Sequence, residues 1–251
     1  TRIENSIRTK RPQCGGVVGA RAADVTNCEN SGKIVCQCIT PTRGVQPNTK
    51  NYVIIVSGVA GGDQGTTGAY SQSATSSNVK NCKNTGNIEV EFDNQNSYAC
   101  AAGICGYPGV ESNVSENHII ECTNYGNITV NGVGKMRIGG IAGGLGHITK
   151  CINYGTLTNN LTTTADDQMG GISGFHSQEL DFSGNENYGD VIQTVAGLKS
   201  QVGGLIGSNG KVAATKAEGC KVKCNIVAET SNGATTVGLV LGSSPDATVT
   251  W

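Results

Sequence analysis

Two short motifs that recur in a fixed order constrain this sequence more than any other feature. The first motif, two small residues followed by apolar-x-Gly, recurs at intervals of 31 to 45 residues. Its seven copies are Cys14–Gly19, Val56–Gly61, Ala101–Gly106, Ile138–Gly143, Met169–Gly174, Val202–Gly207 and Val237–Gly242. The second motif, Cys-x-Asn-x-Gly-x-aliphatic, follows in phase at Cys28, Cys82, Cys122 and Cys151, with degenerate copies at Asn185 and Cys220. Two motifs that share one period predict a repeat architecture.

The residues that follow the second motif alternate between apolar and polar, as in Ile88, Val90 and Phe92. This period of two is typical of a strand with one buried face. The glycine before each such strand is expected to form a corner with a positive φ, which glycine adopts easily. These glycines are Gly32, Gly86, Gly126, Gly155 and Gly189. The paired glycines of the first motif are expected where the backbone approaches the opposite wall closely.

Stacking such units about 4.8 Å apart places equivalent residues in columns. One column contains cysteines (Cys28, Cys82, Cys122, Cys151, Cys220) and another contains asparagines (Asn30, Asn84, Asn124, Asn153, Asn187) whose amides can bond from rung to rung. The sequence therefore predicts an all-β, right-handed parallel β-helix (β-solenoid) of about seven rungs with Gly, Cys and Asn ladders. We expect residues 1–13 to form an N-terminal flank and residues 14–251 a single repeat domain. The departures at Asn185, Val222 and Cys224 indicate a ladder that decays toward the C-terminus, and Leu239 and Trp251 are candidates for a cap.

The glycine motifs GGIAG, GGISG and GGLIG, each followed by the CxNxGxI pattern or a variant of it, resemble the GLUG-motif repeats of bacterial surface proteins. The resemblance runs from about Cys14 to Gly242. It implies an exported, adhesin-like protein with an anchor outside this chain. It implies no catalytic residue, because the residues of the motif are those of corners and core.

Eleven cysteines raise the possibility of disulfides or a metal site. Five of them recur at the repeat period, and buried cysteine is a small apolar residue that suits a tight stack, so free core thiols are expected. No CxxC pair has a second close pair at zinc spacing, so neither metal nor cofactor is predicted. A net charge of −1 gives no electrostatic footprint for nucleic acid, and no apolar run is long enough for direct membrane insertion.

Parallel β-helices can carry polysaccharide lyases and hydrolases, so an enzyme is an alternative. The acidic residues do not recur on one face, and Asp166 and Asp167 are expected to be solvated in a surface loop. The three histidines (His118, His147, His176) occupy different positions relative to the motifs and are expected to form no column. Motifs for a nucleophile elbow, a zinc protease helix or a phosphate loop do not occur. A catalytic site is therefore not predicted.

Two sets of aromatic residues are candidates for ligand binding. Inserted loops lengthen the second and third repeats, to 21 residues between Gly61 and Cys82 and 16 between Gly106 and Cys122, and the two loops are expected to touch. They carry Tyr70, Tyr107 and His118. A separate column is formed by Tyr125, Tyr154 and Tyr188. We expect a non-enzymatic, extracellular repeat module of a bacterial surface protein, acting in adhesion or as a stalk, with a host or bacterial surface protein or a glycan as partner. The alternative is a carbohydrate-binding module or a polysaccharide-active β-helix enzyme.

Overall fold

The computed structural model describes most of the chain as short β-strands joined by tight corners. The described residues are 13–21, 23–39, 54–63, 77–108, 118–144, 146–162, 167–176, 181–195, 200–209, 215–229, 235–243 and 249–250. Within these ranges every regular element is a strand, and no helix could cross a membrane. The predicted flank of residues 1–13 lies outside them except for Gln13, which belongs to the first described strand.

Thirty strands follow one another within the described ranges. The first coil has β1 (Gln13–Gly15), β2 (Val18–Arg21), β3 (Val25–Thr26), β4 (Glu29–Asn30) and β5 (Ile34–Ile39). The next coils have β6 (Ile54–Ser57), β7 (Ala60–Asp63), β8 (Val79–Lys80), β9 (Lys83–Asn84), β10 (Ile88–Ala102), β11 (Cys105–Tyr107), β12 (His118–Ile120), β13 (Thr123–Asn124) and β14 (Ile128–Gly139). They continue with β15 (Ala142–Gly144), β16 (His147–Thr149), β17 (Ile152–Asn153), β18 (Leu157–Thr162), β19 (Gln168–Gly170), β20 (Ser173–His176), β21 (Glu186–Asn187) and β22 (Val191–Gln193). The last are β23 (Gln201–Gly203), β24 (Ile206–Asn209), β25 (Thr215–Lys216), β26 (Lys221–Val222), β27 (Ile226–Ala228), β28 (Thr236–Gly238), β29 (Leu241–Ser243) and β30 (Val249–Thr250).

Each strand pairs in parallel with its equivalent in the neighbouring coil. The sheet β2-β7-β11-β15-β20-β24-β29 contains one strand from each of the seven copies of the first motif. The sheet β4-β9-β13-β17-β21-β26 contains one strand from each of the six copies of the second motif. These stacked parallel sheets confirm the predicted β-solenoid; its right-handedness stays a prediction.

Most of the buried apolar side chains belong to two large clusters. Residues on β10 and β14, such as Ile88, Val90 and Ile138, form the first cluster. The second cluster includes Ile104 and Ile119 together with the buried members of the cysteine column. Because these side chains are mostly small or β-branched, they pack closely between neighbouring coils.

The asparagine column forms a continuous hydrogen-bonded ladder, as predicted. The Nδ2 of each asparagine donates to the Oδ1 of the next, 2.8 Å away, from Asn30 through Asn84, Asn124 and Asn153 to Asn187. Each Nδ2 also donates to the carbonyl oxygen of the glycine two residues later. The side-chain amides are buried and satisfied, which is the condition for a polar group to be tolerated in a core. We call these five residues the asparagine ladder.

The paired glycines face this ladder at very short range. A Cβ on Gly103 would lie 2.2 Å from the carbonyl oxygen of Gly140 and 2.3 Å from the Cγ of Asn124. Gly58, Gly140 and Gly171 show the same two contacts with their neighbours. The predicted close approach of the two walls is therefore confirmed.

The corner glycines have a different role from the one predicted. Gly86, Gly126, Gly155 and Gly189 do not have a positive φ; a Cβ on any of them would instead meet the carbonyl oxygen of the preceding coil's glycine at 2.0–2.1 Å. The left-handed conformation falls on the residue before each cysteine position. These residues are Asn27, Asn81, Glu121, Lys150, Gly184 and Gly219, with φ between 50° and 67°. The prediction failed because four of the six positions hold a residue other than glycine, so the sequence does not mark them.

The cysteine column is a ladder of free thiols, as expected. The backbone N–H of Cys82 donates to the Sγ of Cys122, and the N–H of Cys122 donates to the Sγ of Cys151, both at 3.4 Å. In the next coil Asn185 replaces cysteine without breaking the pattern. Its Oδ1 accepts from the N–H of Cys151 at 2.9 Å, and its own N–H donates to the Sγ of Cys220 at 3.4 Å. The decay predicted at this position is therefore wrong.

Candidate functional site

The tyrosine column forms a stacked ladder on the outside of the second-motif sheet. Tyr125 follows β13, Tyr154 follows β17 and Tyr188 follows β21, so the residue next to each ladder asparagine points outward. The ring centroids are 4.9 Å apart between Tyr125 and Tyr154 and 5.2 Å apart between Tyr154 and Tyr188, with interplanar angles of 10°. Tyr125 is 49% exposed and Tyr154 is 43% exposed. The structure thus brings together three of the six predicted site residues, which we call the tyrosine ladder.

Charged groups lie at both ends of the tyrosine ladder. The Nζ of Lys83 lies 5.7 Å from the centroid of the Tyr125 ring. At the other end, the hydroxyl of Tyr188 and the Nζ of Lys221 both donate to the carboxylate of Glu186. The bond from Lys221, and then that from Tyr188, lowers the pKa of Glu186. The same hydrogen bond to Glu186 raises the pKa of the Tyr188 hydroxyl.

The stacking limits what the tyrosine ladder can recognise. The faces of the rings cover one another, so a ligand lying along the solenoid would meet ring edges and hydroxyl groups. A sugar ring that needs an open aromatic face would find none between the stacked rings, and Lys83 already lies over the ring of Tyr125 at one end. The ladder is therefore suited to hydrogen bonding with a periodic ligand or to packing against a protein surface.

Two histidines form a column that the sequence did not predict. His118 on β12 pairs in register with His147 on β16, and their rings stack with centroids 4.5 Å apart. The expectation of no histidine column is wrong for this pair, because both precede a ladder cysteine by four residues. His176 is not part of it: it is buried on β20, against the edge of Phe182.

The hydrogen bonds of His147 do not suit a metal ligand. Its Nδ1 accepts from the backbone N–H of Asp181 at 2.9 Å, which leaves the proton of the neutral ring on Nε2. A metal-binding histidine usually donates from its second nitrogen to an acceptor. Burial, and then the nearby His118, lowers the pKa of His147, while Asp181 acts in the opposite direction. Within the described residues, no group of three or more His, Cys, Asp or Glu side chains could hold a metal ion.

The two predicted loop tyrosines are not brought together as a site. Tyr70 lies outside the described residues. Tyr107 ends β11 and is only 8% exposed, packed with Ile55 and Cys100 in a small third cluster. The expectation that Tyr107 is displayed on a loop is therefore wrong, because the first-motif strand extends through it.

Beside this cluster lies an arginine–aromatic contact that sequence reasoning missed. The guanidinium of Arg137 lies 4.0 Å from the centroid of the Phe175 ring, and its Nε donates to the Oε1 of Gln168 at 3.0 Å. The side chains of Arg137 and Phe175 are both partly exposed. The strand register could have indicated this contact. Arg137 pairs with Gln168 in one sheet and Gly144 pairs with Phe175 in another, which places Arg137 and Phe175 in neighbouring coils.

Asp167 is a buried structural carboxylate. The sequence suggested a solvated loop for Asp166 and Asp167; Asp166 lies outside the described residues, and for Asp167 the expectation is wrong. The carboxylate accepts from the backbone N–H of Met136 at 2.9 Å and from the Nδ2 of Asn159 at 3.3 Å. The same Nδ2 of Asn159 donates to the Oε1 of Gln193. These bonds tie the carboxylate into a buried polar network inside the stack.

Comparisons with protein-family models, with curated proteins and with solved structures give no match to this chain.

Proposed function

We propose that this chain is a non-enzymatic, extracellular repeat module of a bacterial surface protein that acts in adhesion or as a stalk. One observation carries the proposal. The asparagine ladder joins five successive coils with identical 2.8 Å hydrogen bonds, and this repetition makes the module a continuous rod. In such a solenoid each coil supports its neighbours, and the outer columns are held at fixed intervals. The resemblance to GLUG-motif repeats adds the expectation of a bacterial cell surface.

Two of the polar groups that could serve a reaction, Asp167 and His147, make hydrogen bonds within the solenoid. Asp167 is buried and accepts from Met136 and Asn159, and the Nδ1 of His147 accepts from backbone. A general acid or base must instead reach a substrate proton. These contacts favour a scaffold over a polysaccharide-active enzyme.

The tyrosine ladder supports a second candidate, carbohydrate binding. Its ring centroids repeat every 4.9–5.2 Å along the solenoid, and this regular spacing suits an extended glycan that lies parallel to the axis. Such binding would use the exposed edges of Tyr125 and Tyr154. It is compatible with adhesion, because a glycan on a cell surface would then be the adhesive partner.

A binding screen with two matched triple variants tests these proposals. Purified protein is applied to arrays of glycans and of host matrix proteins. The test variant is Tyr125→Ser/Tyr154→Ser/Tyr188→Ser, which removes the rings and keeps a hydroxyl at each position. The control is Asn131→Ser/Asn160→Ser/Thr194→Ser, which alters another exposed, hydrogen-bonded column.

We expect the wild type and the control to bind the same ligand and the tyrosine variant to lose most of that binding. A glycan as the ligand would favour the second candidate, and a matrix protein the first. Binding that both variants retain would place the adhesive surface elsewhere on the module. If none of the three proteins binds any ligand, the result would favour a role as a stalk over a role in adhesion. Release of reducing sugar from any polysaccharide would show that the non-enzymatic proposal is wrong.

A further inference from the structure

The outer side of the second-motif sheet carries its charges in a particular order. Strand register places one outward residue from each of the six coils of this sheet in a single column. In coil order the column contains Glu29, Lys83, Thr123, Ile152, Glu186 and Lys221. An acidic residue followed by a basic one therefore stands on each side of an uncharged centre.

Each charged end of this column is an ion pair within the chain. The Nζ of Lys83 lies 3.2 Å from the Oε1 of Glu29, and the Nζ of Lys221 lies 2.6 Å from the Oε1 of Glu186. The side chains of Lys83 and Glu29 are 45% and 53% exposed, so they remain open to a further contact. In both pairs the acid lies in the earlier coil, so the two pairs have the same direction along the solenoid. Two such pairs attract each other when they lie side by side in opposite directions.

Two further columns border this one and complete a patch. On one side are Tyr125 and Tyr154 of the tyrosine ladder, which are 49% and 43% exposed. On the other side the left-handed corner residues Glu121 and Lys150 are exposed in adjacent coils. The patch thus has an uncharged centre with aromatic rings and a partly buried Ile152, surrounded by charges, which is the usual arrangement of a protein–protein interface. We call these three columns the second-motif face.

A second copy of the second-motif face is complementary to the first when it is turned end for end. A twofold axis that lies in the plane of the interface, between the coils of Thr123 and Ile152, reverses the coil order and keeps each column opposite itself. The facing pairs are then Glu29 with Lys221, Lys83 with Glu186, Glu121 with Lys150, and Tyr125 with Tyr154. Within the three columns no two like charges face each other.

Other arrangements of two such faces bring like charges together. If the two solenoids lay parallel with their coils aligned, Lys83 would face Lys83 and Glu29 would face Glu29. If the antiparallel arrangement were shifted by one coil, either Lys83 would face Lys221 or Glu29 would face Glu186. Because like charges in contact are unfavourable, the order of the charges selects the antiparallel arrangement without a shift.

We propose that the second-motif face binds a second copy of this chain and gives an antiparallel, side-by-side dimer. The inference does not depend on a role in adhesion or as a stalk. The face extends about 24 Å along the axis and about 13 Å across it, so it covers about 300 Å² on each copy. Stable interfaces bury about 800 Å² on each partner, so this dimer is weak and reversible. It covers the tyrosine ladder, and a ligand of that ladder would compete with dimerisation.

Exchanging the two charges of one ion pair tests the proposal. The variant Glu29→Lys/Lys83→Glu keeps an ion pair within the chain but places like charges opposite Lys221 and Glu186 of the other copy. The variant Glu186→Lys/Lys221→Glu does the same from the other end. Sedimentation equilibrium should show a reversible wild-type dimer with a dissociation constant between about 10 μM and about 1 mM. Each exchange variant should dimerise at least about tenfold more weakly.

Mixing the two exchange variants should restore dimerisation at wild-type strength, because every facing pair is again of opposite charge. A chain with all four substitutions should also dimerise, and only the antiparallel arrangement predicts this result. The matched control is Lys33→Glu/Glu89→Lys, which exchanges an ion pair of 2.7 Å outside the second-motif face and should leave dimerisation unchanged. Urea midpoints of the exchange variants close to that of the wild type would show that these variants are folded.

The salt dependence of the wild type tests the same proposal without any substitution. Raising the ionic strength from about 0.02 M to about 0.5 M should weaken the dimer several-fold, because salt screens exposed charges. A wild type that stays monomeric at about 1 mM would overturn the proposal. Exchange variants that dimerise as strongly as the wild type, or a mixture of the two that stays monomeric, would overturn it as well.

Discussion

The asparagine ladder and the tyrosine ladder are one residue apart in sequence, with the asparagines ending their strands on the inner side of the solenoid and the tyrosines following them on the outer side. Asn124, Asn153 and Asn187 point into the stack and are fully buried, whereas Tyr125 and Tyr154 remain about half exposed. Both ladders repeat from coil to coil, so sequence periodicity alone does not distinguish them. Their surroundings distinguish them. A buried amide that loses its protein partner is left without a hydrogen bond, whereas an exposed tyrosine hydroxyl can bond to water instead.

The two ladders repeat equally often but should contribute unequally to stability. A buried polar group left without its partner costs about 1–3 kcal/mol. A pair of stacked aromatic rings contributes about 0.5–1.5 kcal/mol beyond the area it buries, and exposure reduces that area. Disruption of the inner face should therefore affect folding, while disruption of the outer face should mainly affect what the surface can bind.

The largest effect is expected from Gly103→Ala, which alters the wall against which the asparagine ladder packs. The new Cβ would lie 2.2 Å from a backbone oxygen and 2.3 Å from the Asn124 amide, so two coils must separate. We expect a loss of about 3 kcal/mol or more in the free energy of unfolding, measured by urea denaturation. Gly144→Ala is the matched control, because its Cβ would first meet the Tyr107 ring at 3.4 Å. A similar loss in both variants would contradict the close-wall argument.

Asn124→Ala should have the next largest effect. It removes the acceptor of Asn84 and a donor to Asn153 inside a closed core. The expected loss is about 2–3 kcal/mol, seen as a lower urea midpoint at constant slope. Asn131→Ala, which removes one exposed bond to Asn160, should cost less than about 0.5 kcal/mol. If the two variants are equally stable, the distinction between the inner and outer ladders fails.

Tyr154→Ala should cost about 1 kcal/mol, because the central ring stacks on both neighbours. Tyr154→Phe keeps the stacked rings and should unfold like wild type in the same denaturant series. A loss above that of Asn124→Ala would reverse the ranking of the two ladders. If Tyr154→Ala loses no stability, stacking of the tyrosine rings does not contribute to the free energy of unfolding.

The smallest effect concerns the other outer pair, His118 and His147. The pKa of His147 is lowered in the folded protein, so folding favours the neutral ring. The contribution of this ring to the free energy of unfolding is therefore fully present above the pKa of about 6.5 that a histidine has in the unfolded chain. It is lost as the pH falls from about 6.5 through the folded pKa. We expect a loss below about 1 kcal/mol, because solvent screens the half-exposed ring. Unfolding measured between neutral and mildly acidic pH should show this slope, and His147→Asn, whose Oδ1 can still accept from Asp181, should flatten it.

Sequence reasoning predicted the fold well because the motif residues are the ones that neighbouring coils require. Asn84 and Asn124 recur because an amide can both donate and accept along a stack, and the glycines recur because a carbonyl oxygen occupies the place of a Cβ. The left-handed corners were missed because Asn81, Glu121 and Lys150 adopt them without a glycine to mark them. In the same way, Asn185 appeared to end the cysteine ladder, although its amide reproduces the hydrogen bonds of a thiol.

The candidate site was only partly predictable. The tyrosine ladder follows directly from the repeat register, and so would the histidine pair if His118 and His147 had been aligned to Cys122 and Cys151. The position of Tyr107 could not be derived in this way, because its burial depends on contact between two sheets and not on register within one. Burial of Asp167 likewise depends on Asn159, an inward-facing amide at a place that is apolar in the preceding coils.

The uniform direction of the asparagine ladder gives the solenoid an electrical polarity. Every amide points its N–H toward the C-terminal coils and its oxygen toward the N-terminal coil, so the five side-chain dipoles add along the axis in the way that peptide dipoles add along a helix. The negative pole lies at Asn30 and the positive pole at Asn187. Because aligned hydrogen bonds polarise one another, each added coil strengthens the bonds already present. The solenoid therefore has an electric dipole along its axis, and a longer array of the same repeats would have a larger dipole.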